Sequence, residues 1–436
     1  MTDSQPRPKE ASPLVTYRWT DPPIVAVAFA ALASGFAQFG VVAALGDVAK
    51  QLGHAAPGAS IADQVGLSGT KLGVGLAIIR FASLGSLPLV GLADRFGRRT
   101  MLIATLTVGL ALTVVAAASP GYWWFVAIFA AGRPLLSATN ALTEVIAAEE
   151  TSAKDRAAAV ALTAAGYGVG AGLTAIIHSL AASTFGFRGI FALALVPLAA
   201  VPYIRARVTE PDRFEVAAAS TDRPLPVLGA VGPRFRKRMV VLAVIGFVIS
   251  VVTGPANSFV FLYAQDVLHQ RGYVTAAMVV GAGVTGLAGL LAGRWLADRV
   301  GRRPTATLAM VGIAGFGTLA YAGTSAALVI GYVLGVLAGG ILAPAIGAFL
   351  AELFPTSVRA SAAGWWVAAG VIGAVVGLVA FGAVADVDNR FATAAAVTFL
   401  PTVLAAALFW LLPETRGREP EDLWPTEGRA APAVGT

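Results

Sequence analysis

The chain has 436 residues, 57% of them hydrophobic and 13% charged, with a mean hydropathy of +0.76 and a formal net charge of +7. A water-facing domain carries roughly 25% charged residues, so the composition excludes a soluble globular protein and points to helices that cross a bilayer, each needing about 20 apolar residues. The positive charge sits in short loops between apolar runs rather than on one patch, which speaks for membrane topology and against nucleic acid.

The polar N-terminal tail, 1–23, lacks the charged-then-apolar pattern of a signal peptide and carries Trp19 as an interfacial anchor. Six spans follow, at about 24–46, 71–93, 100–119, 122–148, 157–182 and 189–205. A central loop, 206–238, is the longest connection and the richest in charge; six more spans lie at about 239–265, 273–297, 304–323, 327–350, 361–383 and 391–412, before a tail at 413–436. The expected fold is an all-α integral membrane protein of twelve helices, built as two six-helix bundles, 24–205 and 239–412. Gly and Pro recur inside the spans, where small residues let membrane helices approach closely.

Lys and Arg set the orientation. Of 31, 24 fall on the side that carries both termini, five (Lys50, Lys71, Arg188, Arg271, Arg390) on the other, and Arg80 and Arg133 lie inside spans. Both termini are therefore expected in the cytoplasm, with a bacterial plasma membrane as the location.

The halves repeat one another. "GLADRFGRR" (91–99) and "WLADRVGRR" (295–303) set Asp94 and Asp298 204 residues apart. "EETSAKDR" and "ELFPTSVR" set Glu149 and Glu352 203 apart, each seven residues before an arginine, Arg156 and Arg359. Two independent charged phrases at matching offsets indicate a duplicated six-helix unit.

Six plus six spans, with D-R-x-G-R-R after the second span of each half, resemble the major facilitator superfamily over essentially the whole chain. "PETRG" (413–417), "TEPDRF" (209–214), "AELFPTSVR" (351–359) and Gly132–Arg133 are similar to its sugar-porter and organic-solute branch, which includes metabolite:H+ symporters. The resemblance implies parallel repeats about a pseudo-twofold axis along the membrane normal, with substrate near the midplane between them. The chain departs from the pattern where the usual glycine four residues before the loop aspartate is Val90 in one copy and Arg294 in the other. Many proton-coupled members also carry an aspartate after a Phe-Gly pair in the first span; "QFGVV" puts Val42 there. Coupling through that carboxylate is not carried over, which leaves Glu144 and Asp47 as the coupling candidates, Asp47 being read at the outer end of span 1.

The resemblance places Asp94 and Asp298 beside the helix starts of spans 11 and 5 in the opposite half, where a carboxylate is stabilised by roughly 0.3–1 kcal/mol. Arg95, Arg98, Arg299 and Arg302 can pair with the Glu149 and Glu352 phrases, and Gly97 and Gly301 permit the tight turn. Together with Arg156 and Arg359, these residues are expected to close the cytoplasmic side in one state and release it in the other. A plain topology loop accounts for the arginines but not for a repeated aspartate.

Charges within the hydrocarbon are costly and face the interior or a cavity. Arg133, about eleven residues into span 4, and Arg80, about nine into span 2, have no obvious carboxylate beside them. A substrate carboxylate is expected to complete the site; the plain alternative is that backbone carbonyls, or a carboxylate on another span, satisfy each arginine. Gln38, Asn140, Tyr167, Asn257 and Tyr263 are the polar and aromatic candidates near mid-span. Gly254–Pro255 is expected to break span 7 and open backbone groups to the cavity. His178 reads as a packing residue rather than a proton carrier, and Trp365 and Trp366 as interfacial anchors.

Cysteine is absent, and His54, His178 and His269 are never at ligand spacing, so neither disulfides nor a metal site is expected. No Walker-type phosphate loop and no nucleophile–base set is present; neither an enzyme nor a cofactor is expected. The function read from the sequence is secondary active or facilitative transport of a small organic solute, a carboxylate-bearing metabolite foremost, by alternating access. The expected partners are that solute, protons and the lipid bilayer, and the chain is expected to be a monomer. The alternatives are a proton-antiport exporter, whose span-5 glycines occur in "GYGVGAGLT" (166–174) without the usual proline, and a non-transporting sensor of the same fold.

Overall fold

In hydrocarbon a chain must satisfy its own backbone hydrogen bonds, and a run of Ala, Val, Leu and Gly does so as helix. The structure, a computed structural model, describes residues 16–53, 60–152, 154–210, 229, 231–418 and 423. Most of the two tails, most of the central loop and His54 lie outside these residues. Among the described residues twelve long helices follow in order. The first half holds α1 (Pro22–Ala43), α2 (Gly69–Phe96), α3 (Arg98–Ala116), α4 (Tyr122–Glu150), α5 (Arg156–Ala181) and α6 (Gly186–Arg207). The second holds α7 (Pro233–Val267), α8 (Gly272–Arg299), α9 (Arg302–Leu319), α10 (Ser325–Glu352), α11 (Val358–Asp388) and α12 (Phe391–Leu411). Eleven are long and apolar enough to span a membrane; the other, α9, has 18 residues and begins on Arg302 and Arg303.

Three local expectations are corrected. First, α1 ends at Ala43, and Asp47 lies on a separate short helix, Leu45–Leu52, rather than on the first span. A second short helix, Ile61–Val65, starts at a capping box of Ser60 with Asp63. Second, α7 begins at Pro233, inside the stretch read as loop, because the basic residues of "PRFRKR" extend its first turns. Third, Gly254–Pro255 does not break α7. Pro255 cannot donate to the Val251 carbonyl, but the helix runs on to Ser258 while Gly377 of α11 packs against that carbonyl. The irregular stretch comes later, as a π-turn over Tyr263–Val267.

Glycine sets the closest approaches. Gly35 of α1 lies on the Tyr167 carbonyl, while Gly166 and Gly170 of α5 lie on the backbone of α1, so any side chain there would push the two helices apart. The glycines noted in "GYGVGAGLT" thus seat α5 and aim Tyr167.

The halves join on the side away from the repeated phrases. Asp386 of α11 accepts from the Gly69 and Thr70 amides at 2.6 and 2.8 Å and from the Thr70 hydroxyl at 2.6 Å, capping the start of α2 from the other half. The Ile61 amide donates to Asn389 at 2.5 Å, and Lys50 pairs with Asp266 at 2.5 Å. On the phrase side, the ends of α2 and α8 are exposed, with Phe96 56% and Trp295 52% accessible. Among the described residues, the hydrogen bonds and the ion pair that cross between the halves lie on the far side.

Candidate functional site

Between the halves lies a cavity of about 260 Å³, lined by Gln38 and Val42 of α1, Arg80 of α2, Arg133 of α4, Tyr167 of α5, and Thr253, Asn257 and Ser258 of α7. A second space of about 360 Å³ shares Gln38, Arg80, Arg133 and Tyr167 and runs on past Ser137, Asn140, Thr143 and Glu144 toward the phrase side. Of the residues singled out in the sequence, Gln38, Arg80, Arg133, Asn140, Tyr167, Asn257 and Glu144 are thus brought to one continuous cavity.

Each side chain is held by its own element. The Gln38 amide donates to the Ser34 hydroxyl at 2.8 Å and to the Leu136 carbonyl at 3.1 Å, tying α1 to α4 and fixing its height. Asn257 donates to the Thr253 carbonyl one turn back at 2.9 Å. Arg80, Arg133 and Tyr167 lie within electrostatic reach of one another. Among the described residues the ion pairs include neither arginine, and the Nε of each is buried without a partner. Two guanidinium groups within electrostatic reach on one partly buried cavity wall repel each other, and an anion joining them offsets that repulsion and their partial loss of hydration. The arrangement suits a carboxylate, which guanidinium groups bind in the plane of their N–H donors.

Tyr263 is not part of this cavity. Its hydroxyl donates to the Tyr321 carbonyl at 3.2 Å and accepts from the Gly323 amide at 3.0 Å, and its ring packs on Tyr321 and Phe391 near the far side. Six residues beyond Asn257, it is turned about 120° from the cavity face by regular helical pitch, so grouping it with Asn257 as a cavity candidate overlooked the periodicity. Asp47 is not there either; it pairs with His178 on the far side. Thr253, Ser258, Ser137 and Thr143 were not anticipated, since small hydroxyl residues in apolar spans give no distinct signal.

The repeated phrases form two matching clusters. Arg98 pairs with Asp94 at 3.3 Å and Glu149 at 3.0 Å; Arg302 pairs with Asp298 at 3.3 Å and Glu352 at 3.2 Å. Gly97 and Gly301 adopt φ of 95° and 119°, a region that excludes most side chains. Arg156 donates to the Ala148 carbonyl at 2.9 Å and Arg359 to the Phe354 carbonyl at 3.4 Å, each closing the end of the preceding helix. Arg95 and Arg299 stack on Phe96 and Trp295. The expected contact of Asp94 and Asp298 with helix starts in the opposite half is not made. Both aspartates are half-exposed and held by their own arginines.

Two residues of the clusters went unrecognised. Glu210, in "TEPDRF", accepts from the Arg98 and Arg99 amides, and Glu414, in "PETRG", accepts from the Arg302 and Arg303 amides at 2.9 and 3.1 Å. Their 204-residue offset equals that of the aspartates, a signal that was present in the sequence. Among the described residues no group of His, Cys, Asp and Glu is placed to hold a metal ion.

The Major Facilitator Superfamily model matches residues 27–296 and 282–434. The "Probable 4-methylmuconolactone transporter" of Cupriavidus pinatubonensis is 28% identical over 367 residues, 81% of this chain and 84% of that one. The "Gentisate transporter" of Corynebacterium glutamicum is 26% identical over 335 residues, 73% of each chain. Among solved structures, a nucleoside transporter aligns with a TM-score of 0.73 at 14% identity, over 89% of this chain and 99% of that one.

Proposed function

The chain belongs to the Major Facilitator Superfamily as a small-solute transporter, and we propose that its solute is a small ring-bearing organic acid, carried as the anion by alternating access. The observation that carries this reading is the pair of arginines, Arg80 and Arg133, that share a cavity with Tyr167 and, among the described residues, take part in no ion pair. The names of the two relatives, one for a lactone of muconate and one for gentisate, agree with it. The carboxylate sits between the guanidinium groups, Gln38 and Asn257 meet the ring's polar substituents, and the apolar wall of Val42 and Ile79 covers its face.

The bias of Lys and Arg sets the repeated phrases in the cytoplasm of a bacterial cell, so the structure is inward-facing. The Asp94 and Asp298 clusters are the cytoplasmic gate in its released form. In the outward-facing state the same aspartates swing onto helix starts of the opposite half, which exchanges one set of charge contacts for another. The cavity carries the binding chemistry without a cofactor, and no step of it is catalytic.

The test is uptake into proteoliposomes of labelled gentisate, benzoate and xylose, with and without an imposed pH gradient, by the parent chain and by Arg133→Gln. Acid uptake lost in the variant is the expected result. Xylose movement indifferent to Arg133→Gln would overturn the reading.

A further inference from the structure

The far-side junction contains a charge cluster that the cavity and the cytoplasmic gate do not use. Asp266, on the π-turn that ends α7, is 6% exposed and reaches across the junction to Lys50 on the short helix Leu45–Leu52, with Oδ1 2.5 Å from Nζ. Its Oδ2 is buried without a hydrogen-bond partner and lies against the backbone of Gly46, whose missing side chain makes the room. On the same short helix Asp47 pairs at 2.9 Å with His178 of α5, which is 1% exposed and whose Nδ1 is also without a partner.

We propose that Asp266 is a proton-binding site on the extracellular face, and that the proton it takes up releases the latch between the halves. The Lys50–Asp266 pair is the ion pair, among the described residues, that ties one half to the other. It must break for the outer side to open. Breaking it while Asp266 is ionised leaves a carboxylate in an apolar seat, which is expensive. A proton from the outer water, bound at the unpartnered Oδ2, changes the pair from oppositely charged to one ammonium and one neutral acid. Lys50 keeps its own proton and, being 42% exposed, turns to water. With that ion pair gone, the hydrogen bonds of Asp386 to Gly69 and Thr70 and of Asn389 to Ile61 are what still holds the junction, and the halves part when these give way.

The charged groups facing Asp266 are Lys50 and Asp47 from the short helix and His178 from α5. Asp63, on the neighbouring helix Ile61–Val65, is turned to its own cap at Ser60, and the first turns of α8 present Thr275, in contact with Gln265 at 3.5 Å. Val42 lines the cavity where many proton-coupled members of the superfamily carry an intramembrane carboxylate; Asp266, at the junction instead, couples external acidity to the outward step. It rests on the alternating-access reading above but not on the identity of the solute.

The chain has no cysteine, so spin labels can be placed cleanly at Gln64→Cys and Val387→Cys, exposed positions on the two halves of the far side. Pulsed EPR distances are compared between about pH 8 and about pH 5. The parent is expected to gain a several-fold larger long-distance population at the acid end. Asp266→Asn, and Lys50→Gln as the variant on an exposed side chain, should show that population at both pH values. An unresponsive parent, or a response that survives Asp266→Asn but vanishes in His178→Gln, overturns the assignment. Because no solute is needed, failure here is distinct from failure of the organic-acid reading.

Discussion

Glu210 and Glu414 stand 204 residues apart and do the same work in the two halves: each sets its carboxylate on the first two backbone amides of the helix that follows the repeated phrase. A helix start carries about half a positive charge and unsatisfied N–H donors, so a carboxylate there satisfies both. Gly97 and Gly301 leave space for it, since a side chain at either would strike the glutamate.

This relationship gives a pH-dependent stability. Partial burial of the Glu414 carboxyl works against its ionisation, but the amides of Arg302, Arg303, Arg416 and Thr415 outweigh that and hold it below the usual carboxylate range. A folded pKa below the unfolded one means the contribution is present above the ordinary carboxylate pKa, about 4.3, and is lost as pH falls through the folded value. The thermal midpoint of Glu414→Gln in detergent should lie below the parent's at neutral pH and converge with it near pH 3. Parallel curves over the whole range would remove the cap from the account.

Arg133 should matter to transport far more than to folding. A charge-assisted hydrogen bond is worth about 1.5–3 kcal/mol, and each 1.4 kcal/mol is tenfold in affinity. Arg133→Gln should therefore raise the concentration of organic acid needed for half-maximal uptake by about ten- to a hundredfold. Arg133→Lys should recover part of it as a point charge without the bidentate geometry. An unchanged half-saturation in Arg133→Gln would assign the arginine to packing.

Asp94 is 50% exposed beside Arg98 in this state, and such a pair contributes about 0–1 kcal/mol. Asp94→Asn should thus leave membrane insertion and thermal midpoint close to the parent's. Its transport rate should fall all the same, if the gate contact proposed for Asp94 in the other state holds. Full transport in both Asp94→Asn and Asp298→Asn would reduce the phrases to topology signals.

Tyr263→Phe separates packing from binding. The hydroxyl makes two hydrogen bonds, to Tyr321 and Gly323, and its loss should cost about 1–3 kcal/mol because it leaves their backbone groups unpaired. Half-saturation for the solute should not move. A changed solute preference in this variant would return Tyr263 to the cavity.

Much of the architecture was legible because each rule acts locally. Twenty apolar residues fix a span, and the spacing of Asp94 and Asp298 exposed the duplication without any knowledge of contacts. Arg80 and Arg133 were legible as cavity-facing residues for the same reason: a charge in hydrocarbon needs an explanation wherever the helix turns. Hydroxyl residues such as Thr253 and Ser258 were not, since serine and threonine are common in spans and bond back to their own helix. Tyr263 and Asn257, six residues apart, part company because six residues at 3.6 per turn set them about 120° apart around the helix, a separation that a face-by-face reading of "NSFVFLY" carries.

The sequence by itself determined a membrane protein of twelve helices in two related halves, the side on which its positive charges gather, and two arginines placed inside spans. These follow from hydrophobicity, charge and repetition, which are properties of neighbours along the chain. The tertiary structure decided that Gln38, Arg80, Arg133, Tyr167 and Asn257 face one cavity, and that Asp47 turns to His178 and Tyr263 to Tyr321. It also decided that Lys50 meets Asp266, 216 residues away, because the halves close on one side at a time and only their mutual packing chooses which charges meet.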